Sequence, residues 1–212
     1  MADLEFFFDP ICPWAWVTSR WVVEVQKLRD YDVAWRFISL KMVNEARTDE
    51  KYDDKYRESH MRGLYSHRVC DEVRLRHGNA GVGAIYTALG DAFHTNPREP
   101  KINDDPAAFM TEILKTANLP TDYASHVNDE SHDAYIREDT EVALGRTGRD
   151  VGTPIITFHP GQVDEGSFFG PVISSIPRGT DALRLWDAIE LIATSTGMAE
   201  LKRSNREPLN FN

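Results

Sequence analysis

The chain has 212 residues, of which 41% are hydrophobic, so it is long enough for a substantial core and too large for a small disulfide-stapled fold. Its 34 acidic and 24 basic residues give a formal net charge of -10, which disfavours nucleic acid and anionic membranes as partners. No stretch approaches the roughly 20 apolar residues that a membrane-spanning helix needs.

Met1–Phe8 lacks the basic segment and cleavage site of a signal peptide, so we expect a cytoplasmic protein.

The first 40 residues predict a β-α-β unit. Leu4–Phe8 is a short apolar run typical of a buried strand, and residues 33–38 alternate as a second strand. Between them a helix is predicted from Pro13, a favoured first helical residue. Its apolar positions at helical spacing are Val17, Trp21, Val25 and Leu28.

The next part of the chain predicts an inserted helical domain. About 110 residues separate the second strand from the next strand-like segment, which is too long for a plain loop. Asp105-Pro106 predicts the capped start of one helix, and the segment around Tyr135 predicts another that ends near Gly145. A further apolar face consists of Val82, Ile85, Tyr86, Leu89 and Phe93.

The last quarter predicts a hairpin followed by a helix. Pro154–Phe158 and a run from Val163 to Phe169 flank the turn at Pro160-Gly161. The final helix is predicted to bury Leu185, Trp186, Ile189, Ile192 and Ala193.

The order of these elements predicts an α/β protein with a thioredoxin fold, whose β-α-β and β-β-α halves are separated by the helical domain. We expect residues 1–40 and 153–201 to form the thioredoxin-like domain and residues 41–152 the inserted helical domain. The tail 202–212 is expected to be a surface extension or an arm that binds a partner.

Cys12 is the main candidate for chemistry, since it stands at the predicted start of the first helix. Backbone N–H groups and the helix dipole favour the thiolate there, and the thiolate is the reactive form of cysteine. The alternative is a buried structural cysteine. The setting FDPICPWAW favours a reactive thiol, with Trp14 controlling access to the sulfur.

The Thr153-Pro154 pair precedes the third strand and supports the same interpretation. A proline alone at a strand start is weak evidence, because any edge strand tolerates it. Combined with a cysteine at the first helix of this topology, a cis proline would turn the Thr153 backbone towards the sulfur. An incoming thiol or peptide could then bind there as a short strand.

The segments FDPICPWAWVTSRW, VGTP and FFGPVISSIPRG resemble the DsbA-like thioredoxin-fold proteins of actinobacteria, especially the mycothiol-dependent reductases, one of which is a nitroreductase. The resemblance covers nearly the whole chain. It implies an enzyme that uses mycothiol, the actinobacterial counterpart of glutathione, with Cys12 as the nucleophile. It also implies that Pro13 lies in the thiol-binding site and that the active-site cleft is lined by Trp14, Asn44, Tyr56 and His94.

Ala15 departs from this resemblance, because the mycothiol-dependent reductases carry the resolving cysteine there. Either the chain is a natural one-cysteine form, or Ala15 is an engineered substitution that traps a mixed disulfide. In both cases Cys12 can attack a disulfide but has no neighbouring thiol that releases the product. We therefore predict a mixed disulfide of Cys12 with mycothiol or a substrate protein, resolved by a second low-molecular-weight thiol or a mycoredoxin.

Two other functions are compatible with the sequence. An enzyme of the glutathione-transferase-kappa or chromene-carboxylate-isomerase type has the same inserted topology and would activate a bound thiol while Cys12 stays unmodified. A non-catalytic peptide-binding module would use the groove beside Thr153 and Pro154 and would still bind after a Cys12→Ser substitution.

The remaining candidate groups predict neither a metal nor a flavin. No motif in the sequence requires a flavin. Four residues are spaced along one broad helical stripe as conceivable zinc ligands, but they lack the tight pairs of a tetrahedral site, so no metal is expected. These residues are His60, His67, Cys70 and His77. Cys70 is expected to be partly buried and inert.

Overall fold

The computed structural model describes residues 2–98 and 101–211. Its sheet has four strands in the order β2-β1-β3-β4, namely β1 (Leu4–Phe8), β2 (Val33–Phe37), β3 (Ile155–Phe158) and β4 (Gly166–Phe169). Within the described residues, the α-helices are α1 (Pro13–Leu28), α2 (Leu40–Val43), α3 (Asp54–Gly90), α4 (Pro106–Thr116), α5 (Asp133–Thr147) and α6 (Gly179–Ala193). A π-helix covers Asp91–Thr95, and two 3-10 helices cover Thr121–Asn128 and Glu130–His132.

This order of elements confirms the predicted fold. The β1-α1-β2 half and the β3-β4-α6 half of a thioredoxin fold are separated in sequence by α2 to α5 and the short helices between them. None of the helices in the described residues combines the length and the apolar character needed to cross a membrane.

The chain forms two compact units. The thioredoxin unit consists of Met1–Phe8, Cys12–Arg36 and Leu144–Asn212, and the helical unit consists of Asp9–Ile11 and Phe37–Ala143. Asp9–Ile11, expected in the thioredoxin-like domain, pack within the helical unit. The three residues that lead into Cys12 therefore depend on contacts made by the helical insertion.

The sheet of the thioredoxin unit is built around β3. This strand pairs antiparallel with β1, Leu4 lying opposite Phe158, and antiparallel with β4, which confirms the predicted hairpin. The sequence predicted that the fourth strand begins at Val163, but it begins at Gly166. Val163 lies in the connecting turn with its side chain fully exposed, because the chain still reverses direction there.

Helices α1 and α6 pack through two buried tryptophans. The rings of Trp21 and Trp186 meet edge to face with centroids 5.1 Å apart, and Trp21 Nε1 donates to the Ala182 carbonyl at 3.0 Å. The predicted burial of Leu185 was wrong, since this side chain is 43% exposed. Leu28 lies in the last turn of α1, as its helical spacing predicts, and is 42% exposed. Leu185 and Trp186 are adjacent, and neighbouring residues of a helix point about 100° apart, so one narrow face cannot bury both.

The helical unit is organised around the long helix α3. Gly78 has φ 62 and interrupts the helical backbone, so α3 consists of two stretches joined at a kink. The second stretch buries Val82, Ile85 and Leu89, as predicted. Helix α4 starts as predicted, since the Asp105 side chain accepts a hydrogen bond from the Ala108 N–H at 2.9 Å.

Candidate functional site

Cys12 caps the N-terminus of α1, as its position before Pro13 predicts. Its sulfur accepts a hydrogen bond from the Ala15 backbone N–H at 3.5 Å and donates to the Thr153 carbonyl oxygen at 3.4 Å. The residue is 8% exposed. N–H groups in the first turn of a helix have no acceptor within the helix, so the hydrogen bond from Ala15 favours the thiolate, whereas the Thr153 carbonyl accepts only from the neutral thiol.

The loop before β3 supplies the other wall of the site. The Thr153-Pro154 peptide bond is cis, and the Thr153 hydroxyl donates to the Phe7 carbonyl at 3.3 Å. The Pro154 carbonyl accepts from the Gly170 N–H at 2.8 Å. The loop is thus tied to the strands on either side of β3, and its Thr153 carbonyl faces the sulfur.

Position 15 carries no chemistry of its own. Ala15 is fully buried directly behind the sulfur, where a Cys-X-X-Cys motif has its second thiol. The other cysteine, Cys70, is fully buried in the helical unit, where partial burial was predicted, and burial raises the pKa of its thiol. Neither residue offers a second reactive thiol.

Trp14 lies next to the C-terminal segment. The Arg206 guanidinium stands over the Trp14 ring, 5.0 Å from its centroid, and the Asn210 N–H donates to the Ser174 carbonyl at 2.7 Å. All four residues belong to the thioredoxin unit. The tail therefore packs beside the residue that follows the Cys12-Pro13 pair, where the sequence predicted a surface extension or a binding arm.

Asp9 holds the segment that leads into Cys12. It is fully buried, and its carboxylate accepts from the Ile11 N–H at 3.1 Å and from the Leu40 N–H at 2.7 Å. Gly63 on α3 leaves room for this carboxylate, since a Cβ there would lie 2.9 Å from the Asp9 Cγ. Three parts of the helical unit, distant in sequence, thus meet at one side chain.

His94 holds the same segment from the π-helix. Its Nε2 is 2.9 Å from the Pro10 carbonyl oxygen, which can only accept, so Nε2 carries the proton. Burial lowers the pKa of His94 to about 4, although the Pro10 contact acts in the opposite direction. The imidazole is therefore neutral at physiological pH and acts as a hydrogen-bond donor to the loop.

Asn44 and Tyr56 also lie in the helical unit. The Asn44 side chain donates to the Leu40 carbonyl at 2.9 Å and accepts from Arg47 at 3.2 Å, so both ends of its amide stabilise the C-terminus of α2. The Tyr56 side chain is 56% exposed. The roles that the resemblance implies for these two residues and for His94 stay predictions.

Sequence reasoning missed the function of Asp9 and Gly63. The Asp-Pro pair before the cysteine indicated a turn, and the hydrogen bond from Ile11 fits that pattern. Nothing in the local sequence indicates that Leu40 and Gly63 complete the environment of the carboxylate, because both are far away along the chain.

The four residues considered as zinc ligands are used in other ways. His60 Nδ1 is 3.1 Å from the Tyr52 hydroxyl, His77 Nε2 is 3.2 Å from the Tyr123 hydroxyl, and the His67 ring packs 5.2 Å from the Phe37 ring. In residues 2–98 and 101–211, no three of the four proposed ligands come close enough to share a metal ion.

One protein family and one protein of known sequence match most of this chain. The Rv2466c-like family, described as "Mycothiol-dependent nitroreductase Rv2466c", matches residues 11–203. The uncharacterized protein Rv2286c of Mycobacterium tuberculosis is 28% identical over 206 residues, which cover 96% of this chain and 82% of that protein.

Two solved structures are similar in fold. The probable DsbA oxidoreductase SCO1869 from Streptomyces coelicolor has a TM-score of 0.59 at 15% identity, over 96% of this chain and 94% of that one. The cytosolic disulfide reductase DsbM from Pseudomonas aeruginosa, solved with GSH, has a TM-score of 0.52 at 13% identity, over 78% of this chain and 88% of that one. At these identities the similarity shows a shared DsbA-like thioredoxin fold.

Proposed function

Since the chain belongs to the Rv2466c-like family, described as a mycothiol-dependent nitroreductase family, we propose that it is a mycothiol-dependent thiol-disulfide oxidoreductase with Cys12 as its nucleophile. The observation that carries this proposal is the position of the Cys12 sulfur, which receives the Ala15 N–H and faces the Thr153 carbonyl beside the cis proline. The Ala15 N–H favours the thiolate, and once the thiol has lost its proton the Thr153 carbonyl can accept a hydrogen bond from a bound thiol or peptide.

The reaction has two thiol-disulfide exchanges. The Cys12 thiolate attacks one sulfur of a disulfide RS–SR, forms Cys12–S–SR and releases RS⁻. A second thiolate R′S⁻ then attacks the SR sulfur, releases RS–SR′ and restores the Cys12 thiolate. These exchanges convert RS–SR and one R′S⁻ into RS⁻ and the mixed disulfide RS–SR′. Complete reduction takes a further exchange, in which a second R′S⁻ attacks RS–SR′, releases the other RS⁻ and leaves R′S–SR′, so two external thiols supply the electron pair. Both thiols have to come from outside the chain, because position 15 is alanine and Cys70 is buried.

Mycothiol is the low-molecular-weight thiol that the family description favours. The structure of DsbM with GSH, a thiol of the same chemical class, supports a small thiol as the partner. We propose that the mycothiol-binding site includes Pro13, Trp14, Thr153 and Pro154. Pro13 and Trp14 directly follow Cys12 in sequence, and the Thr153 carbonyl before the cis proline Pro154 contacts the Cys12 sulfur. A mycoredoxin or a protein disulfide is the second partner in this proposal, and the cytoplasm is the expected compartment.

Intact-mass analysis after exposure of the reduced protein to mycothiol disulfide tests the nucleophile. We expect one mycothiol adduct per chain, located at Cys12 by peptide mapping. The Cys12→Ser variant should gain none, and the Cys70→Ser variant should gain one, because Cys70 is buried. A folded protein that leaves Cys12 unmodified would contradict the proposal and favour the transferase or peptide-binding alternatives.

An Ala15→Cys variant tests the missing resolving position. We expect its mycothiol adduct to disappear as an internal disulfide with Cys12 forms, since a thiol one helical turn away can attack the mixed disulfide. Intact-mass spectra would show the loss of the mycothiol adduct and a protein mass lower than that of the reduced variant by two hydrogens. If the variant kept its adduct as long as the unaltered protein does, position 15 would not be the resolving position.

A further inference from the structure

A cluster of two histidines and two carboxylates lies in the helical unit, among residues that have no role in the thiol chemistry above. Donor atoms of Glu72 on α3, His126 in the first 3-10 helix and His132 in the second lie within 4.8 Å of one another. His126 Nδ1 is 3.1 Å from His132 Nε2. Asp129 Oδ2 is 3.3 Å from His126 Nδ1 and 3.9 Å from His132 Nε2. The donor atoms of Glu72, His126 and His132 thus share one small volume. Asp129 borders this volume on the side of the two histidines, and its carboxylate, whose side chain is 41% exposed, has to turn to become a fourth ligand.

A buried carboxylate orients one of these histidines. His132 is 6% exposed, and its Nδ1 is 2.7 Å from Oδ2 of Asp71, which is itself buried. The ionised carboxylate accepts, so Nδ1 carries the proton and the lone pair of Nε2 points towards His126. Arg74 holds the other oxygen of Asp71 at 2.7 Å. Imidazoles that bind metal ions are held by carboxylates in this manner.

The spacing of the two imidazole nitrogens fits a tetrahedral ion. Zinc-nitrogen bonds of about 2.0 to 2.1 Å at tetrahedral angles place two nitrogen ligands about 3.3 Å apart. The observed separation is 3.1 Å, which is also the length of a hydrogen bond between the two rings, so a bound ion would replace the proton between these nitrogens. Glu72 uses Oε1 to bind Arg76 at 2.7 Å, and a carboxylate has a second oxygen with which it can reach an ion.

We propose that Glu72, His126, Asp129 and His132 bind one divalent transition-metal ion, and that the ion is Zn²⁺. Two imidazoles and two carboxylates suit zinc, whereas Mg²⁺ and Ca²⁺ select sites made of oxygen atoms alone. The sequence analysis expected no metal and considered only ligands spaced along α3. This site combines α3 with two short helices that follow α4.

The proposed ion is structural. Four protein ligands leave no open position for a substrate or a water molecule in a tetrahedral site. The ion would join α3 to both 3-10 helices, which are short and have poorer hydrogen-bond geometry than α-helices. Because the four ligands come together only in the folded helical unit, binding should raise the stability of the folded state.

Titration of the full-length protein with Co²⁺ and Zn²⁺ tests this proposal, after stripping with a chelator. Tetrahedral Co²⁺ absorbs visible light, and Zn²⁺ should displace it. We expect one equivalent to bind, with a higher melting temperature in Zn²⁺. The His126→Ala variant should bind at least about tenfold more weakly. His77→Ala is the matched control: it removes an exposed histidine of α3 outside the cluster and should bind as the unaltered protein does.

Two further variants keep the test decisive. Cys12→Ser should bind the metal normally, which excludes a contribution from the reactive thiol. The Asp129→Asn variant is used if His126→Ala fails to fold. Asparagine keeps an oxygen that can accept from the Ser131 N–H, as Asp129 Oδ1 does at 3.0 Å, so this variant should fold. It should still bind the metal more weakly, because the carboxylate is lost. The absence of stoichiometric binding by the unaltered protein, or equal affinity in the folded cluster variant, would overturn the proposal.

Discussion

At the residue scale, one buried carboxylate determines how the chain enters the active-site helix. Asp9 accepts from the N–H groups of Ile11 and Leu40, and it occupies the space beside Gly63. A buried carboxylate is stable only while such donors surround it, since desolvation would otherwise be costly. The conformation of the segment Asp9–Ile11, which directly precedes Cys12, therefore depends on this one carboxylate.

A Gly63→Ala substitution should disturb this arrangement. The added Cβ would lie 2.9 Å from the Asp9 Cγ, so the carboxylate has to move away from its backbone donors. We expect a loss of about 1 to 3 kcal/mol in the free energy of unfolding. Urea denaturation measures this loss, and the rate of mycothiol adduct formation at Cys12 should fall in the folded variant.

Gly145→Ala is the control for that substitution. Gly145 lies in α5, and a Cβ there would meet nothing within 4 Å. Alanine is favoured over glycine in a helix by up to about 1 kcal/mol, so this variant should be as stable as the unaltered protein or more stable. Equal losses in the two variants would show that the Asp9 contact has no special effect.

At the element scale, an ionic network joins three strands of the sheet to the end of α5. Glu5 on β1 lies opposite Thr157 on β3, and Arg36 on β2 donates to Glu5 at 2.6 Å. Arg146 on α5 donates to both the Glu5 carboxylate and the Thr157 hydroxyl. Burial by itself would raise the pKa of Glu5, but the hydrogen bonds from Arg146 and Arg36 outweigh it and lower the pKa.

A Glu5→Gln substitution should destabilise the thioredoxin unit. Glutamine has nearly the same shape, but it removes the charge that compensates two partly buried arginines. We expect a loss of about 1 to 3 kcal/mol in the free energy of unfolding, measured with urea at neutral pH.

Glu45→Gln provides the comparison for Glu5→Gln. Glu45 pairs with Arg137 at 2.9 Å, but about half of each side chain is exposed. Exposed ion pairs contribute less than about 1 kcal/mol, so this variant should lose little stability. A loss as large as that of Glu5→Gln would refute the importance of burial for the network.

At the scale of the whole molecule, buried histidines make stability depend on pH. Burial lowers the pKa of His60, and it lowers that of His94 to about 4. In the unfolded chain both titrate near their usual value of about 6.5. Below that pH the unfolded state binds more protons than the folded state, so acidification favours unfolding.

His159 acts in the opposite direction. Burial alone would lower its pKa, but Glu190 at 2.9 Å and Asp164 at 2.8 Å outweigh burial and raise the pKa. Its contribution to stability is fully present below its unfolded pKa and is lost as the pH rises through its folded pKa.

We expect the free energy of unfolding to decrease between about pH 7 and pH 5, with His94 alone contributing about 1 to 2 kcal/mol of the decrease. Urea denaturation across this range measures the change. The His94→Gln variant should show a smaller decrease and the His159→Gln variant a larger one. Identical pH profiles for the two variants would contradict these assignments.

The order of elements and the position of Cys12 at the start of a helix could be predicted from the sequence alone. Alternating and helical periodicities identified all four strands and the helices α1, α4, α5 and α6, because these patterns express the local geometry of the backbone. Cys12 before Pro13 predicted a helix cap, since proline favours the first helical position. Boundaries such as the start of β4 differed, because turns depend on where the sheet partners end.

The tertiary structure alone decided which distant residues support the site. Asp9 meets Leu40 and Gly63, and His126 meets His132 and Glu72, although no local pattern links these positions. Each of these arrangements depends on a contact between a polar side chain and a residue of another helix or loop. Such partners are brought together by packing, and local backbone preference, which a sequence reveals, does not specify packing across the chain.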